Sequence, residues 1–205
     1  QDLGRAEEAI SHHRRAAALR PADPAPWNNL GIALRLLGRD DEAMACFGEA
    51  LARRADDPAA IINVADALRA RGRLHDAADA YAEALRHDPR NADALHALGS
   101  VLFDLGRLAD AATCFDAALA VRPDRAESLD ALGSTRLALG DAAGAAALHR
   151  QALAHRPTLA PAWNNLGNAL QASGSLDAAL PCWRTAMVLA PDLAESYSNL
   201  GNGLR

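Results

Sequence analysis

Aromatic side chains make up only 4% of this 205-residue sequence, and no apolar run approaches the roughly 20 residues that span a bilayer. A basic surplus is also missing. The formal net charge is -5, with acidic and basic residues interspersed, which argues against the electrostatic footprint of a nucleic-acid binder. No charged-then-apolar leader opens the chain. Together these features predict a cytoplasmic protein that engages neither membrane nor nucleic acid. Only three cysteines occur, Cys46, Cys114 and Cys182, each 68 residues from the next. Stacked helices lie about 8–10 Å apart, whereas a disulfide needs alpha carbons about 4.4–6.8 Å apart. That spacing therefore predicts reduced, packed thiols. There is no phosphate-cradling Gly-rich loop with a lysine, no nucleophile elbow, and no His or Cys at metal-ligand spacing. The chain is accordingly expected to be no enzyme, and to hold no cofactor and no metal.

Alanine and leucine, both strong helix formers, dominate a sequence that is 50% apolar, and they point to an all-α protein. The pentapeptide Trp-Asn-Asn-Leu-Gly occurs twice, at Trp27 to Gly31 and at Trp163 to Gly167, four periods of 34 residues apart. In steps of that period glycine recurs at Gly4, Gly38, Gly72, Gly106, Gly140 and Gly174, and alanine at Ala9, Ala43, Ala77, Ala111, Ala145 and Ala179. Proline follows at Pro21, Pro89, Pro123, Pro157 and Pro191. Each period thus carries two amphipathic helices, the first ended by the glycine and the second ended before the proline. The full repeats are 24–57, 58–91, 92–125, 126–159 and 160–193, flanked by partial repeats 1–23 and 194–205. In the first helix, repeat positions 4, 7 and 11 are large and apolar and position 8 is small, as in Trp27, Leu30, Leu34 and Gly31. They form one face, expected to be buried against the partner helix and the next repeat. Both chain ends fall inside a helical pattern, and no polar capping element or starting methionine is visible. A portion of a longer repeat protein is expected, whose cut ends expose apolar surface suited to head-to-tail self-association.

The segment WNNLGIALRLLGRDDEAMACFGEAL resembles the tetratricopeptide repeat, in its aromatic, its Leu-Gly, its turn glycine and its spaced alanines. The resemblance covers the whole chain. It implies a right-handed superhelical solenoid of antiparallel helix pairs, with the first helices lining a concave groove where a protein or peptide partner binds.

On the helical wheel, positions 2, 6, 9 and 13 lie opposite the apolar stripe, with position 5 at its flank. Position 6 carries Asn29, Asn63, Asn165 and Asn199, position 9 carries Asp66, Asn168 and Asn202, and position 5 carries Asn28 and Asn164. Asparagine costs a few tenths of a kcal/mol against alanine in a helix, and its amide offers both donors and an acceptor. Such a row suits the backbone of an extended peptide, and it equally suits a bridge between neighbouring helices. In the family's superhelix, four repeats carry the chain about half way round, which would set the two Trp-Asn-Asn segments facing one another across the groove. Arg35 and Arg69 at position 12 border the early part of this face, whereas Asp93, Asp104, Glu127 and Glu195 make the later part acidic. Some tetratricopeptide repeats grip a peptide's terminal carboxylate with paired lysine, asparagine and arginine residues. Position 5 of this chain carries no lysine, so that grip is not expected.

The repeat 126–159 departs most from the pattern. Arg136 takes an apolar position, His149 replaces the aromatic at position 24, and Gly144 sits early in the second helix. A soft unit is expected there, with Arg136 snorkelling and His149 hydrogen-bonded in a partly open core. Pro181 predicts a late start or a bend in its helix. The leading reading is a peptide-binding interaction scaffold. The runner-up is the substrate-recruiting region of a larger enzyme, since AWNNLGNAL and ESYSNLGNGL resemble the repeats of O-linked N-acetylglucosamine transferases and similar bacterial proteins.

Overall fold

A computed structural model describes residues 2–205, with side chains from Glu7 onward, and the described residues form twelve α-helices and no strand. The first six are α1 (Asp2–Leu19), α2 (Pro24–Leu36), α3 (Asp40–Arg53), α4 (Pro58–Ala70), α5 (Leu74–His87) and α6 (Ala92–Asp104). They are followed by α7 (Leu108–Val121), α8 (Ala126–Ala138), α9 (Ala142–His155), α10 (Ala160–Ala172), α11 (Leu176–Leu189) and α12 (Ala194–Gly203). The chain divides into two compact units, Gln1–Val101 and Leu102–Arg205. In the first, α2 packs on α3 and α4 on α5. In the second, α8 packs on α9 and α10 on α11, and α12 closes against α10 and α11.

The turns explain the glycine column. After α2 the Gly38 N–H bonds the Arg35 carbonyl at 2.9 Å and the Arg39 N–H bonds the Leu34 carbonyl at 3.0 Å, which satisfies two orphan carbonyls at the helix end. The geometry needs a left-handed residue, and Gly38, Gly72, Gly106, Gly140 and Gly174 all have φ between 71 and 89°. Helix starts are written in the sequence as well. Pro24 and Pro58 open α2 and α4, and the preceding Asp23 and Asp57 accept hydrogen bonds from the N–H groups of Ala25 and Ala59.

Small residues at position 8 serve a different purpose. The position-24 rings of Phe47 and Trp183 are fully buried and lie so close to the first helix that a Cβ at Gly31 would stand 2.4 Å from Phe47, and one at Gly167 2.4 Å from Trp183. No methyl fits under either ring.

Several expectations need correction. The buried stripe is wider than positions 4, 7, 8 and 11: position 3 (Pro26, Ala60, Ser128, Ala162) and position 10 (Ala33, Ala67, Thr135, Ala169) are buried too, while Trp27 and Trp163 at position 4 are only half-buried. A first helix with neighbours on two sides needs more than one narrow stripe. Gly4 does not end a helix, because α1 runs through it; a single interior glycine costs about 1 kcal/mol and is tolerated. Pro181 does not delay α11, which starts at Leu176 like its counterparts and carries the proline exposed at its surface. The core around His149 is closed rather than partly open, since that ring is 0% exposed, and Arg136 reaches solvent. Gly144 has a reason: it lets Asp141 cap α9 through a 2.8 Å bond to the Gly144 N–H, where an added Cβ would stand 2.1 Å from that carboxylate.

The three cysteines are free thiols, Cys46 and Cys182 buried and Cys114 half-buried, and burial pushes all three above the ordinary thiol range. Iodoacetamide at pH 8 is therefore expected to leave Cys46 and Cys182 unmodified in the folded chain and to alkylate all three in denaturant. Intact-mass spectrometry checks this, and rapid native labelling of either buried thiol would contradict it.

Candidate functional site

The asparagines of the first helices do bridge neighbours, in one recurrent sense. The position-6 amide of one first helix donates back to position 5 of the preceding first helix. Asn63 Nδ2 donates to Asn28 Oδ1 at 2.8 Å, Asn165 Nδ2 to the Asp130 carboxylate at 3.2 and 3.3 Å, and Asn199 Nδ2 to Asn164 Oδ1 at 3.0 Å. The sequence placed position 5 at the flank of the exposed face. Asn164 is instead buried, and its Oδ1 also accepts from Ser196 Oγ at 3.1 Å.

Position 9 answers to the ring at position 24 of the same hairpin. The buried Tyr81 hydroxyl donates to Asp66, and Trp183 Nε1 donates to Asn168 Oδ1 at 3.0 Å. Where the ring is Phe47, with no polar atom to satisfy, position 9 is Ile32. A buried polar ring atom thus demands an acceptor on the facing helix. Asp66 also receives Arg35 Nη1 at 3.1 Å. Burial first, and then the Asp66 hydrogen bond, push the Tyr81 phenol well above its ordinary range, so it stays a neutral donor. His149 solves the same problem differently: its Nδ1 lies 2.7 Å from Asp130 Oδ1, at position 5, while Nε2 has no partner. A polar position 9 paired with Tyr or Trp at position 24 was the available sequence signal for these internal roles of Asp66 and Asn168. The single sequence did not disclose that Asp130 serves both His149 and Asn165.

The two Trp-Asn-Asn-Leu-Gly segments also differ in their surroundings. Trp163 Nε1 donates to the Pro157 carbonyl at 2.8 Å. The equivalent Pro21 carbonyl is taken by Arg53 Nε, whose guanidinium lies over the Trp27 ring at 4.5 Å, and Trp27 Nε1 is left without a partner.

The bridges consume one donor and one acceptor in each asparagine pair. Asn28 Nδ2 and Asn63 Oδ1 in the first unit, and Asn164 Nδ2 and Asn199 Oδ1 in the second, take no partner among the described residues, yet none is a buried orphan. Asn28, Asn63 and Asn199 are half-buried, whereas Asn164 is only 6% exposed. Asn29, Arg69 and Asn202 are exposed, with no partner for their side chains among the described residues. Beside Asn63, a cleft of about 420 Å³ opens between the start of α4, the α5–α6 turn and the start of α6. No group of side chains suited to a metal ion and no helix long and apolar enough to cross a membrane occurs among the described residues.

Comparison with known proteins agrees with this construction. Tetratricopeptide repeat family models match residues 2–63, 64–126 and 96–161. No curated protein matches the sequence. Among solved structures, YrrB, described as a TPR protein with an unusual peptide-binding site, aligns with TM-score 0.77 at 20% identity, covering 93% of this chain and 98% of that one. TTC0263, a thermophilic TPR protein of Thermus thermophilus, aligns with TM-score 0.68 at 25% identity, covering 88% and 98%. The APC/C hetero-tetramer Cut9-Hcn1 aligns with TM-score 0.80 at 20% identity over 98% of this chain and 40% of that one. With matched helix pairs, turn glycines and small position-8 residues in register, the chain belongs to the tetratricopeptide repeat family, an all-α repeat fold that serves as a protein–protein interaction scaffold.

Proposed function

We propose that the chain binds an extended segment of a partner protein along the face of its first helices, with the asparagine pairs contacting the partner's backbone. The supporting observation is the polarity of the pairs. The Asn28–Asn63 bridge engages one Nδ2 and one Oδ1 and leaves a donor on the earlier helix and an acceptor on the later one, both on half-buried side chains. A peptide group offers the complementary C=O and N–H whatever its side chain. Bridge and contact are therefore compatible roles, since the bridge fixes the rotamer and lowers the ordering cost of binding. In the first unit Asn29 and Arg69 lie exposed on these helices, and Arg35 pairs with Asp66; in the second unit Asn202 is exposed, and Asn165 and Asn168 stand at the equivalent repeat positions. YrrB, a structural relative with a peptide-binding site, lends the reading further support.

The test is selection of binders from a random ten-residue peptide library displayed on phage, followed by titration of synthetic peptides against the parent chain and Asn28→Ala/Asn63→Ala. Loss of two backbone hydrogen bonds is expected to weaken binding roughly tenfold, with helical circular dichroism unchanged. Unaltered affinity in a folded variant, or no selected peptide at all, would sink the proposal.

A further inference from the structure

We infer that α12 is the docking surface for α1 of a second copy of this chain, the two helices completing one hairpin, an interaction separate from peptide binding by the asparagine face. α12 is a first helix that packs on α10 and α11, with no second helix over its hairpin side among the described residues. α1 has the opposite deficit: it is a second helix packed on α2, with no first helix of its own. Counted in steps of 34, α12 covers repeat positions 1–10 and α1 positions 13–30, so one helix from each of two copies supplies a whole repeat. No turn has to join them, and α1 runs straight through Gly4, at the position where Gly38 and its equivalents turn the chain.

The two uncovered faces correspond position by position. Leu204, just past α12, is 60% exposed, whereas its equivalents Leu34 and Leu170 are 1% and 7% exposed. Gly201 is the clearest sign. At position 8 an added Cβ would stand 2.4–2.7 Å from the position-24 ring of its own hairpin at Gly31, Gly133 and Gly167, but nothing lies within 4 Å of one at Gly201. α1 carries the matching ring, His13, half-buried where Phe47, His149 and Trp183 are fully buried. Beside it Ala9 and Ala16 are half-buried, although the same positions are fully enclosed at Ala43 and Ala50 and at Ala179 and Ala186. Seating His13 on Gly201 brings a ring N–H to Asn202 at position 9, the position from which Asp66 and Asn168 accept from Tyr81 and Trp183. Neither His13 nor Asn202 has a side-chain partner among the described residues.

The rim matches in charge. Arg156 at position 31 pairs with Glu127 at position 2 of the same hairpin. Arg20, just past α1, and Glu195 on α12 hold those two positions, both exposed and with unpaired side chains among the described residues. Arg53 at position 30 lies over the Trp27 ring at position 4. At the new hairpin those positions carry Leu19 and Tyr197, two exposed apolar side chains that would cover one another. The contact is heterologous, so it repeats from copy to copy.

Two variants of the full chain each block one face. Gly201→Leu fills the ring seat, and because leucine is the better helix former it should hold or raise thermal stability. Ala16→Glu places a carboxylate on the face of α1, with helical circular dichroism as the control for folding. In analytical ultracentrifugation the average mass of the parent should rise with concentration, while each variant alone stays a single chain. Mixed together, the variants retain one free α1 and one free α12 and should stop at a 1:1 dimer. Glu195→Arg should weaken association of the parent about fivefold, and adding Arg20→Glu to the same chain should restore it. A parent that remains a single chain throughout, variants that associate as the parent does, a mixture that forms no dimer, or a charge reversal without effect would overturn the inference.

Discussion

Replacing Trp183 with alanine is expected to destabilise the second unit by about 3–5 kcal/mol, the range for removing a fully buried large aromatic. The ring is 0% exposed and packed against Gly167 on α10, so nothing nearby can collapse into the space without moving a helix. Its indole N–H also anchors Asn168, whose Oδ1 accepts from Asn199 at 2.9 Å, so the substitution loosens α12 as well as the α10–α11 hairpin. Trp183→Phe loses the indole bond and the part of the bicycle that packs under Gly203, and should cost about 2 kcal/mol. Repeat proteins unfold locally as well as globally. Amide hydrogen exchange in α10–α12, read beside denaturant unfolding, therefore separates the two effects. Equal protection in Trp183→Ala and parent would contradict the packing described.

Asp130→Ala should cost about 1–3 kcal/mol, the penalty for stranding buried polar groups. His149 is fully enclosed and its Nε2 is already unpaired, so loss of Asp130 leaves the ring with no partner at all. Asn165 would keep only its 3.4 Å contact with Ser134 Oγ. The reciprocal change has the opposite outcome. His149→Phe removes the orphan nitrogen and restores the ring type that Phe47 shows can sit against a position-8 glycine, here Gly133. Its stability is expected within about 1 kcal/mol of the parent or above it, because a buried polar pair is often no better than an apolar replacement. Thermal unfolding of both variants checks the pair, and a large loss in His149→Phe would show that the polar contact outweighs its orphan.

Much of this architecture was legible in the residue pattern. The left-handed turns follow from Gly38 and its equivalents, the helix starts from Asp-Pro at Asp23 and Asp57, and the close helix packing from small residues beneath Phe47 and Trp183. These are local requirements, and each leaves its mark on one or two residues. The candidate face was harder to read, because its polar side chains look in two directions. Asp66 and Asn168 sit where a helical wheel places solvent, yet they satisfy Tyr81 and Trp183 from the neighbouring helix. Asn164 was expected at a flank and is buried, because Ser196 and Asn199 arrive from α12, a neighbour invisible to any single-helix projection. Gly4 shows the limit of column matching: a glycine permits a turn without imposing one, and α1 continues through it.

The central claim is that the free donor and acceptor of the Asn28–Asn63 pair receive a peptide backbone, and side-chain amide NMR tests it most directly. On addition of a selected ten-residue peptide to the ¹⁵N-labelled chain, the Nδ2 resonances of Asn28 and Asn63 should shift together with the backbone amides of α2 and α4. Signals from the outer face of α5, around Asp79 and Arg86, should stay in place. Shifts confined to that outer face, with the asparagine side chains unmoved at saturating peptide, would contradict the account.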